Sequence, residues 1–130
     1  MKIFGIGTDI VNVQRMKKSL SKNGSNFKNK IFSKNEIIYC EKRKNSHTFF
    51  AKRFAAKEAF VKALGSGFRN GINFSDISVK KNNLGKPKLV LSNSIKLIIK
   101  KKFKLKKFKI FLSLSDEKKH SIAFVVIEKK

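Results

Sequence analysis

Residues 47–64 carry the strongest helical signal in the chain, a run dense in Ala and Phe that is closed by Gly65 and Gly67. Glycines just past the last periodic residue commonly end a helix, because they accept a left-handed turn without steric cost. Upstream, Lys2 to Val11 has an apolar strand pattern. Val13, Met16 and Leu20 then recur at i, i+3 and i+7, the spacing of a short amphipathic helix. Ser33 followed by Glu36 has capping-box spacing and predicts a helix running toward Arg43. Downstream the pattern changes. Ile77 and Val79 alternate with polar residues, Asn82 to Gly85 is a turn signal, and Lys88 to Leu91 returns, which predicts a hairpin. Ile95, Ile98, Ile99 and Phe103 have helical spacing in a lysine-rich stretch. Lys107 to Ser115 and Ser121 to Glu128 read as strands around a polar turn at Asp116 to His120. This order fits an α+β fold, one small domain over residues 1–130 with an antiparallel sheet packed on helices, better than a parallel α/β fold.

Length agrees, since 130 residues is the size of one core. With 41% apolar residues the composition is ordinary for a folded protein and argues against wholesale disorder despite the charge. No apolar run approaches the roughly 18 residues of a membrane span. The N-terminus lacks the pattern of a signal peptide, so a cytoplasmic location is expected. Cys40 is the only cysteine, which excludes an intramolecular disulfide and a cysteine-based zinc cluster. The formal charge of +24 comes from 28 lysines and only four arginines. Lys, Asn, Ile and Phe, all encoded by A/T-rich codons, make up half of the chain, so much of the charge reads as biased genome composition. A nucleic-acid binder would more often carry arginine, whose planar fork grips phosphate and guanine in bidentate fashion. The positive surface would still attract an acidic partner.

With eight acidic residues, the place of each is informative. Asp9 lies in GIGTDIV at the end of an apolar strand, where a charge is costly unless paired or metal-bound; the bland alternative is a cap on the following helix. Glu58 lies in RFAAKEAFVKALGSG, and its bland alternative is an i, i+4 surface pair with Lys62. Two carboxylates brought together would suit Mg²⁺, which takes one or two of them and completes its shell with phosphate and water oxygens. Arg53, Lys57 and Lys62 lie within a turn or two of Glu58 and could serve phosphate. Gly65-Ser66-Gly67 follows a helix rather than preceding one, so it is not a Walker loop. His47 and His120 are far apart and form no zinc or triad spacing.

GIGTDIVNVQR (Gly5 to Arg15), AKRFAAKEAFVKALGSG (Ala51 to Gly67), GKP (Gly85 to Pro87) and SLSDEKKHSIAFVVIE (Ser113 to Glu128) together resemble the holo-[acyl-carrier-protein] synthases. These are the small class of 4′-phosphopantetheinyl transferases. The resemblance spans nearly the whole chain, weakest from Lys96 to Lys107. It implies transfer of phosphopantetheine from coenzyme A to a serine of apo acyl carrier protein, in support of fatty acid biosynthesis. Asp9 and Glu58 would be the Mg²⁺ ligands. Asp9, or a water on the metal, would accept the serine proton, and Lys62 would stabilise or protonate the leaving phosphate. Arg53, Lys62, Gly65, Ser66, Gly67, Lys86 and Pro87 would contact coenzyme A, and Arg15 with its helix would dock the acidic carrier. Arginine's scarcity suggests that Arg15 and Arg53 sit where a bidentate fork is needed. A homotrimer with interfacial active sites is implied as well. Many relatives have His where Asp116 stands, so that role is not carried over. A basic nucleic-acid-binding module, or a homologue without activity, are the competing expectations.

Overall fold

The computed structural model describes residues 1–65 and 71–130. Along them run β1 (Lys2–Asn12), α1 (Val13–Ile31), α2 (Lys34–Glu41), α3 (Ser46–Leu64), a 3₁₀ turn (Phe74–Asp76), β2 (Ile77–Lys81), β3 (Pro87–Leu91), α4 (Asn93–Lys102), β4 (Phe108–Asp116) and β5 (His120–Lys129). The α+β class agrees with expectation, but the strands form two antiparallel sheets rather than one. β1, β5 and β4 make the larger sheet, in that order, and β2 and β3 make a separate hairpin. α4 intervenes between β3 and β4, and β4 takes β5 as its partner through a tight turn at residues 117–119.

Most local signals act as read. Ser33 Oγ accepts the Glu36 backbone N–H while Glu36 Oε1 accepts that of Ser33, a complete capping box. α2 ends at Glu41, just short of Arg43. α3 ends at Gly65, whose φ of 85° is left-handed. α1 is longer than its apolar spacing predicts. Gly24 (φ 56°, ψ −136°) breaks it, and Phe27 and Ile31 pack the second half against the core.

α3 packs on the inner face of the large sheet, among buried Val11, Ala123, Val125 and Ile127. Its approach is set by two glycines of β1. A Cβ on Gly5 would lie 1.9 Å from the Ala63 carbonyl oxygen, and one on Gly7 would lie 1.9 Å from that of Ala59. No side chain fits there, so helix and strand meet backbone to backbone.

Candidate active site

Gly5, Gly7 and Asp9 alternate along β1 and therefore project from one face of the strand, the face that α3 covers. As Gly5 meets Ala63 and Gly7 meets Ala59, the next position on that face, Asp9, comes beside the turn of α3 that carries Glu58 and Lys62. Lys62 Nζ donates to Asp9 Oδ1 at 3.1 Å and to the Thr8 carbonyl at 3.0 Å. Glu58 is partly buried at the same place. Its carboxyl is held above the ordinary carboxylate range, first by burial and next by the negative charge of Asp9, with Lys62 pulling the other way. The two carboxylates thus feel each other, although 49 positions separate them in sequence.

Both bland alternatives fail here. The N-cap of α1 is Asn12, whose Oδ1 accepts the Arg15 backbone N–H at 3.0 Å, so Asp9 caps nothing. Lys62 bonds to Asp9 on another element instead of closing an i, i+4 pair with Glu58. Two hard carboxylates brought together suit Mg²⁺, which takes one or two of them and completes its shell with phosphate and water oxygens. Among the described residues no group of three His, Cys, Asp or Glu makes a self-sufficient metal cage.

The other expected residues are dispersed. Arg53 is 1% exposed and lies on another side of α3 from Glu58. Five residues turn a helix by about 140°, which points Arg53 toward α2. There its guanidinium lies 4.4 Å from the centroid of the Tyr39 ring, and Nη1 donates to the Phe49 carbonyl at 3.2 Å. Arg43 stacks on the same ring at 3.3 Å. Burial opposes ionisation of Tyr39, but the cations of Lys81, Arg43 and Arg53 outweigh it and lower the phenol from its ordinary value. Nothing in the sequence signals this cluster.

Lys86 and Pro87 lie at the tip of the β2–β3 hairpin, where the Asn82 side chain accepts the Lys86 backbone N–H at 2.9 Å. Gly65 caps α3 below the carboxylates, whereas Ser66 and Gly67 lie outside the described residues. Arg15 is exposed in the first turn of α1. Asp116, at the end of β4, pairs with Lys52 of α3 at 3.5 Å. His47 opens α3, and His120 meets Glu117 beside the last turn.

Comparison with known proteins places this arrangement. The profile of the 4′-phosphopantetheinyl transferase superfamily matches residues 5–125. A holo-[acyl-carrier-protein] synthase of Pelagibacter ubique is 54% identical over 130 residues, covering 100% of both chains. The holo-[acyl-carrier-protein] synthase structure from Neisseria meningitidis superposes with a TM-score of 0.87 at 36% identity, covering 98% of this chain and 99% of that one. The Bacillus anthracis enzyme, solved in complex with CoA (3′,5′-ADP), superposes with a TM-score of 0.81 at 34% identity, covering 100% of both chains. With Asp9, Glu58 and Lys62 converging inside the matched segment, the chain belongs to the holo-[acyl-carrier-protein] synthases of the 4′-phosphopantetheinyl transferase superfamily.

Proposed function

We propose that this enzyme transfers 4′-phosphopantetheine from coenzyme A to a serine of apo acyl carrier protein, a step that supports fatty acid biosynthesis. The observation that carries the reading is the meeting of Asp9, Glu58 and Lys62 across β1 and α3. Asp9 and Glu58 would hold Mg²⁺, which when bound neutralises charge on the coenzyme A pyrophosphate. The carrier serine oxygen attacks the phosphorus that bears pantetheine, and a new P–O bond forms. The bond from that phosphorus to the bridging oxygen breaks, releasing adenosine 3′,5′-bisphosphate. Asp9, or a water on the metal, would accept the serine proton, and the half-exposed Lys62 would turn from Asp9 to the leaving phosphate. Gly65, Ser66, Gly67, Lys86 and Pro87 remain proposed coenzyme A contacts. Arg53 acts at one remove, by ordering Tyr39 and Arg43.

The acidic carrier would dock on α1, where Arg15 adjoins a shallow basic concavity lined by Gln14, Lys17, Lys18, Ser21 and Lys22. Incubated with coenzyme A and Mg²⁺, an apo carrier should gain one phosphopantetheine by mass spectrometry, and a chelator should abolish the gain. The KM for the carrier should rise with salt, because added salt shortens the Debye length, about 8 Å at 0.15 M, and weakens the attraction between the basic surface and the acidic carrier. No carrier modification across a wide Mg²⁺ range would overturn the reading. Salt-sensitive binding to duplex or single strands in its place would favour the nucleic-acid alternative.

A homotrimer is part of the same proposal. The outer face of the large sheet carries Ile6, Ile10, Phe111, Ile122 and Phe124, each at least 40% exposed, and the register sets them side by side. A contiguous apolar face of this kind is unusual on a monomer. Light scattering should give three times the 14.9 kDa chain mass, and Phe124→Lys should lower it. A wild-type monomer would remove the trimer and leave the transfer proposal to its own test.

A further inference from the structure

A groove of about 880 Å³ opens between β3, α4 and β4. It lies near the opposite end of the large sheet from the carboxylates. Asp9 is level with Ala123 and Leu114, whereas Phe108 sits six residues back along β4, roughly 20 Å at 3.3–3.4 Å per residue. Leu89 and Leu91 of β3, Leu105, and Phe108 and Ile110 of β4 supply its apolar lining, all of them buried or half-buried. Lys88, Lys96, Lys100, Lys106, Lys107 and Lys109 also line it, all exposed, and no Asp or Glu side chain is among its lining residues. Its size falls within the roughly 300–1,000 Å³ of small-molecule sites. An apolar trough under a cationic rim matches a molecule with one hydrocarbon chain and an anionic head. We infer that this groove binds a free long-chain carboxylate, its chain along the Leu89–Phe108 trough and its head among the lysines of α4 and β4.

The shape selects this occupant over a bilayer. Apart from Leu97, at 56% exposure, the apolar residues line the concavity instead of projecting from it. The apolar floor of the groove lies off the proposed subunit contact, because Phe108 and Ile110 alternate with Phe111 across β4; of the rim, Lys109 reaches that contact, its Nζ 5.1 Å from the centroid of the Phe111 ring. Lysine is abundant over the whole chain, so the charge alone would carry nothing; its placement over an apolar trough does.

The test is a titration of the intact protein with a fluorescent undecanoic acid below its micellar concentration, with palmitate as competitor. Saturable binding of one probe per chain, displaced by palmitate, is expected. The double variant Lys96→Glu/Lys100→Glu and the methyl ester of palmitate should each weaken binding by about tenfold or more, the weight of one or two charge-assisted contacts. Because the variant sits far from Asp9 and Glu58, its carrier modification should stay normal, which separates this inference from the transferase reading. No saturable binding, equal displacement by acid and ester, or an unchanged affinity in the double variant would each overturn it. So would binding seen only with phosphatidylglycerol vesicles or with an acidic peptide.

Discussion

Asp9→Asn and Glu58→Gln should each cut carrier modification by about 10²–10⁴-fold, the size of the acid–base and metal contributions they would remove. Both substitutions keep side-chain shape and take away one negative charge. The fold should survive, because neither carboxylate holds the core: among the described residues Asp9 pairs with the half-exposed Lys62, and Glu58 is only partly buried. The two losses should differ in one respect. Burial and Asp9 already oppose the charge of Glu58, so Asp9→Asn lets Glu58 ionise at lower pH, whereas Glu58→Gln removes the titrating group itself. At limiting Mg²⁺ the wild-type rate should rise with pH through a range above the ordinary carboxylate one, as Glu58 loses its proton. In Asp9→Asn the remaining activity should climb at lower pH. Wild-type rates for either variant at limiting Mg²⁺, with circular dichroism unchanged, would remove the carboxylates from the site.

The path from sequence to this site was readable wherever one short stretch decided the outcome. The Ser33–Glu36 box and the glycine stop at Gly65 need only their neighbours, and both form as their spacing predicts. The apolar pattern of Lys2 to Val11 predicted the strand, in which Gly5, Gly7 and Asp9 share one face. What it could not tell was that α3 would cover that face, since the fit depends on Ala59 and Ala63 more than 50 positions away. The same distance hid the true partner of Lys62, which looked like a local mate for Glu58 and instead bridges to Asp9. The surroundings of Arg53 were hidden because membership of a dense motif says nothing about which side of the helix a residue faces. Tyr39 and Phe49 take its guanidinium on the far side. The division into two sheets escaped for a related reason: strand patterns specify strands, and which strands pair is settled by packing and by the α4 crossover.

A second large effect is expected away from the chemistry. Lys57, next to Glu58, has no exposed surface, and its ammonium donates to Glu36 Oε1, to the Ile31 carbonyl at 2.7 Å and to the Phe74 carbonyl at 3.0 Å. Glu36 in turn accepts the backbone N–H of Ser33 at 3.0 Å and that of Val79 at 2.9 Å. One ion pair therefore ties the end of α1, the start of α2, the 3₁₀ turn and β2 to the middle of α3. Burial draws the Lys57 ammonium below its ordinary value, and Glu36 is the first group that pulls it back. Removing either partner leaves the other charge buried without its counter-ion, which commonly costs about 3–5 kcal/mol. That is a large share of a total stability of about 5–15 kcal/mol. Lys57→Met and Glu36→Gln should each lower the urea midpoint strongly. The double variant should be less damaged than the sum of the two, because it leaves no isolated charge. Urea unfolding of all four proteins closes the cycle. Additive losses, or single losses below about 1 kcal/mol, would mean that the pair is an ordinary surface-strength contact and that the β1–α3 glycine seam alone holds Glu58 against Asp9.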